Sequence, residues 1–139
     1  MILEEIISLT GKPGLFKIIS QSKSNIIVES LTDKKRFPIN SMHNVSVLDN
    51  IAIYTFEEEV PLKLVFKEIS EKEEGKECIS HKESANKLVA YFQEVLPDYD
   101  DERVYTSNIK KVLQWYNLLV KSNFDFTTIK EDEDTEAEA

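Results

Sequence analysis

Cysteine is nearly absent. Cys78 stands alone, so no disulfide can close within the chain, and a four-ligand structural zinc site, which ordinarily draws on several cysteines, lacks its ligands. Histidine is limited to His43 and His81. Three glycines and four prolines in 139 residues exclude collagen-like and low-complexity chains and leave few interruptions to regular structure. Long apolar runs are missing too: the stretches at 26–28 and 118–120 fall far short of the roughly 20 residues of a membrane-spanning helix. The first residues, Met1-Ile2-Leu3-Glu4-Glu5, have neither the basic segment nor the apolar stretch of a secretory signal. These absences lead us to expect a cytoplasmic protein with no membrane partner.

What remains suffices for a folded core. Hydrophobic residues make up 41% of the chain and charged residues 31%, the balance of a solvated globular protein of one domain or two small modules. The net charge of −9 is unevenly spread. Residues 1–56 carry six basic and five acidic groups, residues 57–130 eleven and fifteen, and residues 131–139 six acids and no base. An acidic chain forgoes the general attraction to phosphates that supplies most non-specific nucleic-acid affinity, so a nucleic-acid partner is disfavoured.

Residues 1–56 are rich in β-branched and aromatic residues in short runs, which predicts strands at 2–9, 15–21, 25–31, 35–39, 44–48 and 51–56. Gly11-Lys12-Pro13-Gly14, residues 21–24 and Thr32-Asp33-Lys34 supply the turns. So many strands in so short a segment would leave exposed edges if laid flat, and closure into a small SH3-like β-barrel is the economical solution. Along the second strand Phe16, Ile18 and Ser20 share one face. Ile19 is therefore apolar on the face that Lys17 assigns to solvent, and is expected to meet a second module.

After Glu57-Glu58-Glu59 the period changes. Pro61 suits a first helical turn, the three acids complement its dipole, and Leu62, Val65, Phe66 and Ile69 recur at helical spacing up to Gly75. A second helix is expected from about residue 81, with Ser80 as N-cap and Glu83 completing a capping box, and a stop at Pro97. Its stripe is Ala85, Leu88, Val89, Phe92, Val95 and Leu96. The third helix, after the cap candidates Thr106 and Ser107, repeats that spacing with Ile109, Val112, Leu113, Tyr116, Leu119 and Val120, so the two helices should pack together. Trp115 and Leu118 fall off the stripe and are expected to face the barrel. The fold class expected is α+β: an SH3-like barrel at 1–56, a three-helix unit at 57–127, and a disordered acidic tail at 128–139 whose like charges cannot offset the entropy of ordering.

The motifs that carry chemistry are incomplete. Cys78 and His81 have C-x-x-H spacing, but neither a second cysteine nor a visible orienting partner accompanies them. Asp98, Asp100 and Glu102 alternate like the start of an EF-hand loop, yet Arg103 stands where glycine is required and Ile109 where glutamate is. A loop in which Asp98 or Asp100 pairs with Arg103 explains them better. Gly11-Lys12-Pro13-Gly14 has neither the spacing nor the following helix of a phosphate loop, and Ser8, Ser20 and Ser30 lie in no nucleophile elbow. No catalytic, cofactor or metal residue is therefore assigned. Lys34-Lys35-Arg36-Phe37 is the one basic cluster with a neighbouring aromatic, the combination by which small barrels hold single strands.

Several segments also carry a resemblance: residues 7–20 (Ile-Ser-Leu-Thr-Gly-Lys-Pro-Gly-Leu-Phe-Lys-Ile-Ile-Ser), 27–31, 51–55, 96–100 and Arg103-Val104-Tyr105. Through these the chain resembles a family of uncharacterised proteins from Bacteroidetes, which implies a domain of unknown function and the two-module plan, and no catalytic residue. By elimination, the function expected first is non-enzymatic binding, with barrel and helices presenting a surface to a protein partner of unidentified type. Single-stranded RNA or DNA binding through Lys34, Lys35, Arg36 and Phe37 is the alternative.

Overall fold

The computed structural model describes residues 3–23, 25–39 and 45–129. His43 and the acidic segment from residue 130 onward lie outside them. Five strands, β1 (Ile6–Leu9), β2 (Lys12–Gln21), β3 (Ile26–Ser30), β4 (Arg36–Ile39) and β5 (Val45–Val47), form one antiparallel sheet in the order β4-β3-β2-β1-β5. Leu9 pairs with Lys12, so Thr10-Gly11 is a two-residue hairpin turn, and Gly11 supplies its positive φ of 85°. The register shifts between Ile7 and Leu9 in β1 and between Ile18 and Ser20 in β2, irregularities that bend a sheet. Ile19 falls at the second of these, half-buried and outside both apolar clusters. It was expected at the module junction; Leu15 and Leu31 supply that contact instead.

The closed barrel is not what the hydrogen-bond ladder draws. Among the described residues β4 and β5 each pair with a single neighbour, so the sheet is open. The sixth strand expected at 51–56 does not join it. Instead β6 (Ala52–Tyr54) pairs with β7 (Glu59–Pro61) as a separate hairpin. The physical reason is the buried Thr55, whose N–H and hydroxyl both donate to the Glu58 carbonyl while its Oγ1 accepts the Glu58 N–H, closing a tight turn. Pro61, expected in the first turn of a helix, instead ends β7 and stands as the N-cap of the helix that follows, and the acids Glu57, Glu58 and Glu59 before it belong to the hairpin.

Both faces of the sheet are covered. Ile7, Leu9, Phe16, Val28 and Ile39 enclose a small cluster of their own. On the other face Ile6, Leu15, Leu31 and Leu48 join a larger core built with the helices α1 (Leu62–Glu73), α2 (Ala85–Val95) and α3 (Thr106–Lys121). The stripes expected for α1 and α3 are buried except for the half-buried Val120, with Phe66, Leu113 and Tyr116 at 0% exposure. α1 ends on Glu74 and Gly75, both at positive φ, as the Gly75 N–H returns to the Ser70 carbonyl at 2.8 Å.

α2 starts later than its capping-box pattern indicates. Ser84 is the N-cap, its Oγ accepting the Lys87 N–H at 3.4 Å, whereas the Ser80 hydroxyl accepts from Lys82 in the preceding turn. α3 begins at Thr106, where Asn108 Oδ1 accepts the Tyr105 N–H at 2.8 Å. The ordered chain also runs past the expected tail boundary at 128. Residues Phe126–Thr128 form a 3-10 turn, and Phe124, Phe126 and Ile129 are buried, Phe126 lying 4.9 Å from the Tyr116 ring. Three apolar side chains in six residues supply the burial that holds this segment to the core.

Candidate functional site

α3 presents Lys111 and Trp115, one turn apart, toward the Thr10-Gly11 hairpin turn of the sheet. Between them lies a cleft of about 400 Å³ whose walls include Leu9, Lys12, Ser46, Ile51 and Gln114. A second hollow of about 240 Å³ continues past Ile53 and Val112 to Tyr54, Arg103 and Asn108. The two share Ile51, Lys111 and Trp115, so they adjoin as one groove along the junction of sheet and helices. The lining includes Lys111 and Arg103 and, among the described residues, no carboxylate, although the chain carries a net −9; Lys12 also lines it, with its ammonium over the Phe37 ring.

The far end of the groove is braced by a polar knot. The segment around Tyr99 runs beside β6, with the Phe56 N–H bonded to the Asp98 carbonyl and the Asp100 N–H to that of Tyr54. Asp100 accepts Arg103 Nε at 2.7 Å and the Glu102 N–H at 3.0 Å, and the guanidinium stacks 4.3 Å over the Tyr54 ring. The expected Asp100–Arg103 pair is therefore formed. Tyr54, Phe56 and Tyr105 are exposed, and Tyr54 lines the far end of the groove.

Arg103 and the Glu102 N–H hold the Asp100 carboxyl below its ordinary 3.8. A depressed folded-state value contributes stability above the ordinary carboxyl range and loses it as pH falls through the lowered value. Asp100→Asn is accordingly expected to be less stable than the parent at neutral pH, with the gap closing below pH 3.8. Denaturant midpoints across an acid series read this out, and a gap that stays constant would show that the carboxylate charge is irrelevant.

Cys78 and His81 do come together, in a third hollow with Asn117 and Leu118. The thiol there is structural. It points toward the carbonyls of Ile79 and Leu113, and burial, reinforced by Glu73, pushes it up to about 12. At pH 8 such a group holds roughly a thousandfold less thiolate than one at the ordinary value. Native protein should thus react very slowly with an aromatic disulfide reagent and completely in denaturant; fast native labelling would contradict this placement. Among the described residues no group of three or more His, Cys, Asp or Glu side chains is placed to hold a metal ion.

Of the other residues singled out by sequence, Trp115 is half-buried and lines the groove. Leu118 lines the Cys78 hollow and not the sheet, because Asn117 ties the loop after α1 onto that side of α3. Lys34 and Lys35 are exposed at the β3–β4 turn, Lys34 at φ 64°. Arg36 pairs with Glu29 at 3.4 Å, and Phe37 meets Phe16 edge to face at 5.6 Å beneath the Lys12 ammonium. Sequence reasoning missed Lys12, Lys111, Tyr54 and Arg103. The available signals were the i, i+4 spacing of Lys111 and Trp115 and the outward alternation of Tyr54 and Phe56.

No helix among the described residues is long and apolar enough to cross a membrane. Residues 3–48 match the family described as Domain of unknown function (DUF5606), and residues 51–119 match Domain of unknown function (DUF6852). The boundary between them falls where the sheet gives way to the β6–β7 hairpin. A solution NMR structure of a protein from Bacteroides vulgatus is similar to this chain, with 46% identity over 89% of each chain and a TM-score of 0.73. No curated protein matches it.

Proposed function

We propose, from the premise that the chain belongs to the bacterial two-domain family that joins DUF5606 to DUF6852, that it is a non-enzymatic binding protein. Its groove between sheet and α3 receives an extended segment of a protein partner. The observation that carries this reading is the groove's composition. An apolar floor around Trp115, Ile51 and Val112 is bordered by Lys111 and Arg103, with the Thr10-Gly11 turn at its rim. Concave apolar surface with a few convergent polar groups is what ligand sites are made of. Catalysis finds no comparable support, since the one thiol is half-buried and turned toward backbone carbonyls.

The strand order β4-β3-β2-β1-β5, a meander with the fifth strand returned beside the first, supports describing the N-terminal module (1–56) as a strongly bent SH3-like barrel. The helical module (57–127) then acts with it as one unit, and we place the protein in the cytoplasm. Single-stranded nucleic-acid binding at Lys34–Phe37 has weaker support, because stacking needs a free ring and Phe37 is packed on Phe16.

Affinity capture from native cytoplasm, with and without nuclease, tests the reading. A protein retained by the parent should resist nuclease, be lost with Lys111→Glu and Trp115→Ala, and persist when Lys34, Lys35 and Arg36 are changed together. Loss with nuclease or with the triple variant alone would favour the nucleic-acid alternative.

A further inference from the structure

One edge of β6 is paired along its length and the other only in part. The Thr55 N–H donates to the Glu58 carbonyl and the Leu62 N–H to that of Ile51, which sets the phase of the ladder with β7. Successive residues of a strand turn their backbone groups to opposite sides. Those of Ile51, Ile53 and Thr55 therefore face β7, and those of Ala52 and Tyr54 face away from it. On that outer side the chain begins a third strand of its own. The Phe56 N–H donates to the Asp98 carbonyl and the Asp100 N–H to the Tyr54 carbonyl at 2.9 Å, with Tyr99 opposite Thr55. The segment then leaves the edge, because the Asp100 carbonyl accepts the Arg103 and Val104 N–H groups in a turn. Among the described residues the Tyr54 N–H and both backbone groups of Ala52 are left without a partner on this side.

This free stretch opens on the groove. Ile51, Ala52, Ile53 and Tyr54 all line the second hollow. Side chains alternate between the faces of a strand, so four consecutive residues are reached together from its edge and not from one face. α3 adds Lys111, Val112 and Trp115 to the same hollow. Lys111 is exposed and forms no ion pair among the described residues, whereas Arg103 is held by Asp100.

We propose that the partner's segment binds as a β-strand, continuing along β6 the position that the chain's own third strand leaves at Asp100. Its backbone pairs with the Ala52 N–H and C=O and with the Tyr54 N–H. It carries an aspartate or glutamate for Lys111 and an apolar side chain for Val112 and Trp115. The proposal rests on the reading of the groove as a partner site, and adds how the segment is held and what it must contain. Main-chain pairing gives affinity to any extended segment, and the α3 side chains select among sequences.

The test selects a displayed library of linear peptides of roughly seven residues, a strand's length, against the full chain, and synthesises the strongest binder as the probe. Binders should be enriched in Asp or Glu, and selection on Lys111→Glu should lose that enrichment. The probe is then N-methylated at one backbone nitrogen at a time. Affinity should fall about tenfold or more at alternate positions and change little between them, because only every second residue of a strand faces β6. Ala52→Pro deletes the outer N–H without touching the β7 ladder, and Ile51 at ψ 141° already has the backbone that a following proline requires. It should weaken the probe by a similar factor while keeping the parental circular dichroism; if it does not fold, the N-methyl series decides.

Losses on N-methylation without a two-residue period overturn the strand pairing, as does undiminished binding by folded Ala52→Pro. Selection that yields no acidic, Trp115-dependent peptide overturns it as well. The groove itself is judged separately: a captured partner that is lost with Trp115→Ala upholds it in each of these cases, and one that ignores Trp115→Ala sinks both.

Discussion

Phe66→Ala is expected to lower stability by about 3–5 kcal/mol, the usual cost of emptying a buried phenylalanine site. Phe66 is fully buried at the centre of the shared core, with Tyr116 at 6.4 Å and Phe126 at 6.5 Å between ring centroids. The loss should be felt by the sheet as well as by the helices, because Ile6, Leu15, Leu31 and Leu48 belong to the same apolar cluster as the α1 stripe. Trp115 fluorescence and far-ultraviolet circular dichroism are therefore expected to shift together in one cooperative transition. A sheet that melts at the parental midpoint while the helices move would show two separable modules.

The next largest effect is expected at Asn117. Its Oδ1 accepts the Cys78 N–H at 2.8 Å and its Nδ2 donates to the carbonyls of Cys78 and Ile79. The neighbouring Tyr116 hydroxyl holds the Lys76 carbonyl at 2.7 Å, so two consecutive side chains of α3 pin the loop that links α1 to α2. Asn117→Ala leaves a part-buried backbone N–H without its acceptor, a loss of about 1–3 kcal/mol. A second readout separates this from general destabilisation: Cys78 should become reactive toward thiol reagents under native conditions, faster than in a variant of equal stability loss elsewhere, such as Val28→Ala. Equal thiol reactivity in both would remove the clamp from the explanation.

These two sites also show what the sequence made legible. The helical stripes of α1 and α3 were readable because burial of one face imposes its own period, and Phe66, Leu113 and Tyr116 fall where that period puts them. The start of α2 was not, because Ser80 and Ser84 are chemically equivalent caps and only the surrounding turn decides between them. Barrel closure was out of reach for a related reason: strand pairing is a long-range choice, and the local hydrogen bonds of Thr55 removed the sixth strand from the sheet. The groove was the least legible feature. Its lining comes from a hairpin and a helix about a hundred positions apart, and neither stands out until α3 packs beside β2. Trp115 gave one usable hint, an aromatic with no place in the helix stripe.

The central claim is that the groove beside Trp115 is where a partner's segment binds. Fluorotryptophan incorporated at this single position provides one fluorine resonance, free of interference from a partner's own tryptophans. Titration with the protein recovered by affinity capture should shift or broaden that resonance in step with binding, and the change should disappear with Lys111→Glu. Binding of the partner at full affinity with the Trp115 resonance unmoved would contradict the assignment.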